Sequence, residues 1–394
     1  EAGFRTAAVM PAITLAWPEG PRMGFDTVHD SAALDYDTDY RVELSGVVGA
    51  EGGPDATWRY DFRTPPGSLF YLERSESGQP DRVMSVEMGT GPPREVYRAE
   101  QIDTFVPIGS ALVVSFTGSD GSSTLELVQT IRGDRQRLVL PADVIIDQMI
   151  TPASGTSVFF TLSSLQEDGP YDRTLFRIDT AGSPRAEPVT GLDGQALRVT
   201  KAAVVPGAPT LVAWVDDVEI VSIDLQTGLV LPIALEAQEF WGVSTTGREV
   251  VLVDLGGTVA IGRESLLETR LVPGTLGGLE VFEGYTQLLA DGRKVQTVAL
   301  GNQSGTDFTS LVVIDDGSGR SQELYRTPDD LGSIGTIVVS PNDQYAAIEV
   351  VPNRATAQSD GRLLEPRSTS SQVVIVDIDQ GAVIRSVEGI WPVW

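Results

Sequence analysis

The feature that most constrains this chain is a tight-turn signal that returns at nearly even intervals. Turn formers stand at Pro66-Gly67, Ile108-Gly109, Ser154-Gly155, Pro206-Gly207, Thr246-Gly247, Asp291-Gly292 and Asn342-Asp343, separated by 42, 46, 52, 40, 45 and 51 residues. A second turn trails the first in most units, as IDTAGS, IDLQTG, IDDGSG and DIDQGA, with weaker forms at VEMGTG and QTIRGD. Between the turns lie short runs such as Leu69–Leu72, Ala111–Phe116, Leu211–Val215 and Gln372–Asp377. They alternate with period two and are rich in Val, Ile, Phe and Tyr, which predicts strands. No stretch of a dozen residues has helical spacing.

The last unit is the easiest to read. GTIVVSPNDQYAAIEVVPN, a loop, SQVVIVDIDQG and AVIRSVEG make four strands joined by turns. One four-stranded meander buries one face at most, whereas blades stacked radially cover both faces and leave only short edges. A four-stranded unit repeated every 40–50 residues predicts propeller blades, and seven turn signals predict seven of them. The fold class expected is all-β. The first blade, Ser68–Glu100, supplies only three strands and lacks the innermost one. The chain closes on GIWPVW, so residues 390–394 are expected to return as that inner strand and clasp the ring of residues 67–394 shut.

The SPNDQYAAIEV stretch, Ser340–Val350, resembles the Ser-Pro-Asp-Gly repeat of TolB-type, WD-repeat-like propellers, with Asn342-Asp343 in place of Asp-Gly. The resemblance implies a fold and says little of function.

Residues 1–66 do not fit the blade repeat. LDYDTDYRVELSGVVGAEGGPDATWRYDFRT resembles the final strands of a bacterial Ig-like domain of cell-surface proteins. Leu34, Thr38, Tyr40, Val42 and Gly46 match the penultimate strand, Glu51–Gly53 the glycine turn, and Phe62 with Thr64 the close. A full sandwich takes ~100 residues, so a shortened Ig-like β-sandwich domain is expected. Asp35, Asp37 and Asp39 alternate as in a calcium loop, but positions six and twelve of such a loop would be Tyr40 and Gly46 instead of Gly and Glu. No metal is expected there.

Composition removes several functions. There is no cysteine, hence no disulfide, thiolate ligand or Cys nucleophile. The absence fits export to an oxidising compartment. His29 is the single histidine and lies outside the repeat, so no His-based triad or metal site can form in the blades. No Gly-x-Ser-x-Gly elbow, phosphate loop or dinucleotide fingerprint occurs, and no catalytic residue or cofactor is expected. Net charge is −27, with two lysines, Lys201 and Lys294, beside 26 arginines and no basic run, which argues against nucleic acid and anionic lipid. A GC-rich genome and salt adaptation both fit that balance. No apolar run approaches the ~18 residues of a membrane span. The chain opens on Glu1 rather than Met and reads as a trimmed soluble piece, with room for a signal peptide or anchor upstream of Glu1. Asp179, Asp224, Asp315 and Asp377, each before a turn, read as structural turn residues.

Loops joining second and third strands all fall on one face of a propeller, and they are long in blades three, six and seven. Binding sits on long loops held by a rigid scaffold. The residues singled out are Tyr171 and Asp172, Asn302 and Asp307, and Arg354, Arg362 and Arg367, the arginines as contact points for acidic groups in an acidic protein. The leading expectation is a non-catalytic, extracytoplasmic binding or scaffold module facing a protein or glycan of the cell envelope. The rivals are an envelope-polysaccharide hydrolase or lyase using channel carboxylates, and a sensor domain of a membrane-anchored receptor. A cleft with two facing acids and a strongly raised pKa would favour the enzyme, and a flat arginine-bearing face the binder.

Overall fold

The computed structural model describes residues 33–47, 56–75, 79–89, 91–150, 156–191, 193–272, 274–277, 282–301, 308–362 and 366–394. Among them there is no helix, and hence none long and apolar enough to cross a membrane. The strands form seven four-stranded sheets and one two-stranded sheet. Each four-stranded sheet is antiparallel, and in six of the seven the strands run in chain order from the axis outward. The protein is a seven-bladed β-propeller.

Blades two to seven take four consecutive strands each, spanning residues 104–138, 144–188, 199–234, 239–270, 282–326 and 333–388. Blade one is composite. Its inner strand, Ile390–Val393, pairs antiparallel with Ser68–Glu73 (Phe70 opposite Val393, Leu72 opposite Ile390), followed outward by Asp81–Glu87 and Arg94–Ala99. The evenly spaced glycines have a backbone reason. Gly109, Gly207, Gly247 and Gly292 hold φ between +56° and +86°, in the left-handed region where a Cβ is strained, and Asp343 takes the same position at +61°. Gly155 lies outside the described residues. Gly67 has another role: a Cβ there would meet the Tyr36 ring at 2.5 Å.

The core is a set of wedges between neighbouring blades rather than one central mass. One cluster joins Val113 and Leu127 of blade two to Phe160 and Phe176 of blade three, and another joins Val312 of blade six to Ile348 and Val374 of blade seven. Leu69, Tyr71 and Val86 of blade one meet Ala347, Val373 and Ile375 of blade seven across the closure seam. This placement corrects the period-two reading for the second strand of several blades. Ala111–Ser115, Val158–Leu162 and Ala346–Val350 are buried continuously, because both of their faces press on adjacent layers. Outermost strands such as Ala382–Glu388 are largely exposed.

Of the expected Ig-like segment, the described residues form a hairpin, Asp39–Val47 paired with Ala56–Arg63. His29 and the Glu51–Gly53 turn lie outside the described residues. The segment leading into the hairpin docks on the face opposite the long loops. The Tyr36 amide donates to Gln344 Oε1 at 2.7 Å, Asn342 Nδ2 donates to the Leu34 carbonyl at 3.2 Å, and the Tyr36 ring stacks 6.3 Å from Tyr345 and 6.5 Å from Trp394. Asp37 and Asp39 both face Arg63, at 2.9 and 3.2 Å. One guanidinium thus offsets part of the charge of both carboxylates.

Candidate functional site

In an antiparallel meander the loops between second and third strands share a face with the links between blades. Tyr171, Asp172, Arg354, Arg362 and Arg367 therefore lie on one face, and Asn302 and Asp307 lie outside the described residues. Sequence offered these residues as contact points; the structure gives each described one an internal partner. Tyr171 packs edge-on against Phe176, 5.2 Å between centroids. Asp172 pairs with Arg198. Arg354 donates to the carbonyls of Asp330 and Leu331 at 2.9 and 3.2 Å.

Arg362 and Arg367 belong to a network that fastens the long loop of blade seven over the closure seam. Arg362 donates to Asp81 at 2.5 Å, with the aspartate side chain fully buried and the arginine 12% exposed. Arg74 donates to Asp360 at 2.5 Å, both side chains 4% exposed. Arg367 lies 3.2 Å from Glu349. The Arg74 and Arg367 guanidinium groups stand 4.8 and 5.3 Å from the centre of the Trp391 ring, a cation–π arrangement on the closing strand. Burial works to raise the Asp360 carboxyl, and the hydrogen bonds from Arg74 and from the Arg362 and Arg367 amides outweigh it and hold it below the usual range.

Inside this rim a cavity of about 610 Å3 follows the ring axis, walled by the inner strands of blades one, two, three, four and seven. Its lining is mixed: Phe105, Met149 and Trp391 beside Asp103, Asp147 and Lys201. Asp147 is the extra residue of a bulge where Ile146 faces Leu162 and Gln148 faces Thr161. A bulge re-aims a side chain that the strand's alternation would otherwise place. A second bulge lies between Val199 and Lys201.

Asp147 Oδ2 accepts from Ser163 Oγ at 2.8 Å, and Asp103 Oδ2 accepts from Thr117 Oγ1 at 2.7 Å. Burial pushes the Asp147 carboxyl up to about 6, with Asp172 adding to the rise and Ser163 and Arg173 opposing it. Burial likewise raises Asp103, against Thr117, Arg74 and Arg362. Burial lowers the Lys201 ammonium, which lies 3.6 Å from Glu239 and 5.4 Å from the centre of the Trp241 ring. Sequence reading missed Asp147 and Lys201. The available signal was a charged residue inside an innermost strand, VIIDQMI and VTKAAV.

A carboxyl raised by folding makes the folded state hold a proton that the unfolded chain has released. Between the ordinary carboxyl value and about 6, stability therefore falls as pH rises. Asp147→Asn keeps an acceptor for Ser163 and removes the buried charge. It is expected to be more stable than the parent at pH 7.5 by about 1–2 kcal/mol, after discounting for part exposure, and so to melt higher there, and to match the parent at pH 4. Melting curves at the two pH values check this; equal melting at both would reject a buried charge at this position.

No family model matches the chain, and no curated protein does. Solved structures are similar to it in fold. A prolyl endopeptidase is 8% identical over 82% of this chain and 50% of its own, with a TM-score of 0.56. An oligogalacturonate lyase in complex with manganese is 12% identical over 88% of this chain and 98% of its own, TM-score 0.51. TolB from Acinetobacter baumannii is 14% identical over 80% of this chain and 62% of its own, TM-score 0.40. At such identities the likeness to the first two is one of fold.

Proposed function

We propose that this propeller is a non-catalytic binding module of the extracytoplasmic space, and that its protein or glycan partner engages the long-loop face at the mouth of the axial cavity. The observation that carries this reading is the fixed rim around that cavity. Buried ion pairs tie Asp360 and Arg362 of the blade-seven loop to Arg74 and Asp81 of blade one, which lowers the order that has to be gained when a partner binds. A mixed aromatic and polar lining on a rigid scaffold is the ordinary chemistry of recognition. The absence of cysteine supports the compartment.

Thr336, exposed on the blade-seven wall of the cavity, offers a clean test. Thr336→Trp fills the opening without disturbing the core. Immobilised Thr336→Trp is expected to lose the envelope protein or glycan that the parent retains, while Val383→Arg on the outer edge of blade seven keeps it. Undiminished retention by Thr336→Trp rejects the reading.

One observation favours a second reading, a polysaccharide hydrolase or lyase. Asp103 and Asp147 line one cavity and both carboxyls are raised. An acid–base pair is recognised by environments that push two groups apart, whereas burial moves these two the same way. Shortened envelope glycan produced by the parent and absent with Asp147→Asn would install the enzyme reading instead.

A further inference from the structure

The charges around the cavity mouth do not cancel. Arg74, Arg173, Arg198, Lys201, Arg362 and Arg367 each have an acidic partner, respectively Asp360, Asp217, Asp172, Glu239, Asp81 and Glu349. Asp103 and Asp147 line the same cavity; among the described residues each side chain accepts from one hydroxyl, of Thr117 and Ser163, and has no salt bridge, with Arg74 and Arg362 acting on Asp103 and Arg173 on Asp147 only from further off. Ser115, 1% exposed and also lining the cavity, has an Oγ without a hydrogen-bond partner. Gln148 Oε1 on the same wall is likewise unpartnered. Buried polar groups are normally satisfied, so orphans beside two carboxylates that have no salt bridge among the described residues point to a missing donor.

We propose that the axial cavity binds a primary ammonium group carried on an apolar stem. Two carboxylates from adjacent blades supply counter-charge, Ser115 Oγ and Gln148 Oε1 supply further acceptors, and Phe105 and Met149 supply apolar wall for the stem. Three N–H donors radiating from one nitrogen suit acceptors spread over two blades better than the planar guanidinium fork does. A divalent metal fits less well, since no group of three or more acidic or histidine side chains assembles among the described residues. The same chemistry is offered by a free alkyl diamine and by a lysine side chain of a partner chain. This inference rests on the binding-module reading and reverses the sign of the partner that the loop arginines suggested from sequence.

The groups facing Asp147 are Ser163, Asp172 and Arg173 of its own blade, with Asp103 and Lys201 on the neighbouring cavity walls. Ionisation of Asp147 strengthens the site, so ammonium affinity rises with pH through about 6.

Calorimetric titration with 1,5-diaminopentane, with Nα-acetyl-lysine methylamide and with 1,5-pentanediol as the uncharged isostere tests the proposal. Both amines are expected to bind and the diol not. Affinity is expected to fall roughly tenfold in Asp147→Asn, and by a similar factor between pH 7.5 and pH 5. The tighter of the two amines identifies the source. Equal binding of amine and diol, no amine binding, or unchanged affinity in the Asp103→Asn, Asp147→Asn double variant overturns it. If amines do not bind yet Thr336→Trp still loses its envelope partner, the cation site fails and the binding module stands. If amines bind yet Thr336→Trp keeps the partner, the cation site stands alone.

Discussion

Removal of Ile390–Trp394 is expected to abolish cooperative unfolding. The deleted residues are the innermost strand of blade one, and their loss leaves Ser68–Glu73 as an open pairing edge on the axis. Ile390 is buried, Trp391 and Val393 pack on the core shared by blades one and two, and Trp394 donates Nε1 to the Val338 carbonyl of blade seven at 3.2 Å. At about 1.5–3 kcal/mol per buried large side chain, the loss is roughly 5–10 kcal/mol. That is comparable with the whole stability of an ordinary domain. The Tyr36 stack on Trp394 is lost in the same step, so the N-terminal hairpin loses part of its seat. Calorimetry and size-exclusion chromatography read the outcome. A truncated protein that melts as one sharp transition within a few degrees of the parent would refute the clasp. Ile390→Ala supplies a milder probe, with an expected loss of about 2–5 kcal/mol in a protein that still folds.

How far the chain could be read beforehand depended on the range of each interaction. The blade count was legible because the first turn of most described blades needs a left-handed residue at one position, and glycine marks it locally at Gly109, Gly207, Gly247 and Gly292. Alternation was a poorer guide in second strands such as Val158–Leu162, where burial on both faces erases the polar half of the pattern. The loop face was legible from loop length, but the state of its arginines was not. Arg362 meets Asp81 across 281 residues of sequence and Arg74 meets Asp360 across 286. A charge whose partner is that remote looks unpaired in sequence. Asp147 and Lys201 were legible in principle, since a charge within an innermost strand faces either the axis or a blade seam. The bulges that set their aim leave no local signature.

Those remote pairs define the second large effect. Asp81 is fully buried and serves three elements at once: its Oδ1 accepts from the Ser75 amide at 2.9 Å, and its Oδ2 accepts from the Ile102 amide at 2.8 Å and from Arg362 at 2.5 Å. It thereby ties the loop of blade one, the link to blade two and the long loop of blade seven. Asp81→Ala strands a mostly buried guanidinium and two amides, and removal of one partner from a buried pair costs about 3–5 kcal/mol. For a body of this size the expected fall in melting temperature is roughly 5–10 °C. Salt discriminates the cause. Buried charges are poorly screened, so the deficit should persist at high ionic strength, whereas a surface-pair deficit would shrink. The double variant Asp81→Leu, Arg362→Met removes both charges and should regain part of the loss, because a buried ion pair can be matched by apolar packing. It should not regain all of it, since the Ser75 and Ile102 amides still lack an acceptor and each orphan costs about 1–3 kcal/mol. Full recovery in the double variant would mean that the ion pair alone holds the seam. A single variant that melts with the parent would mean that Asp81 does not fasten it at all.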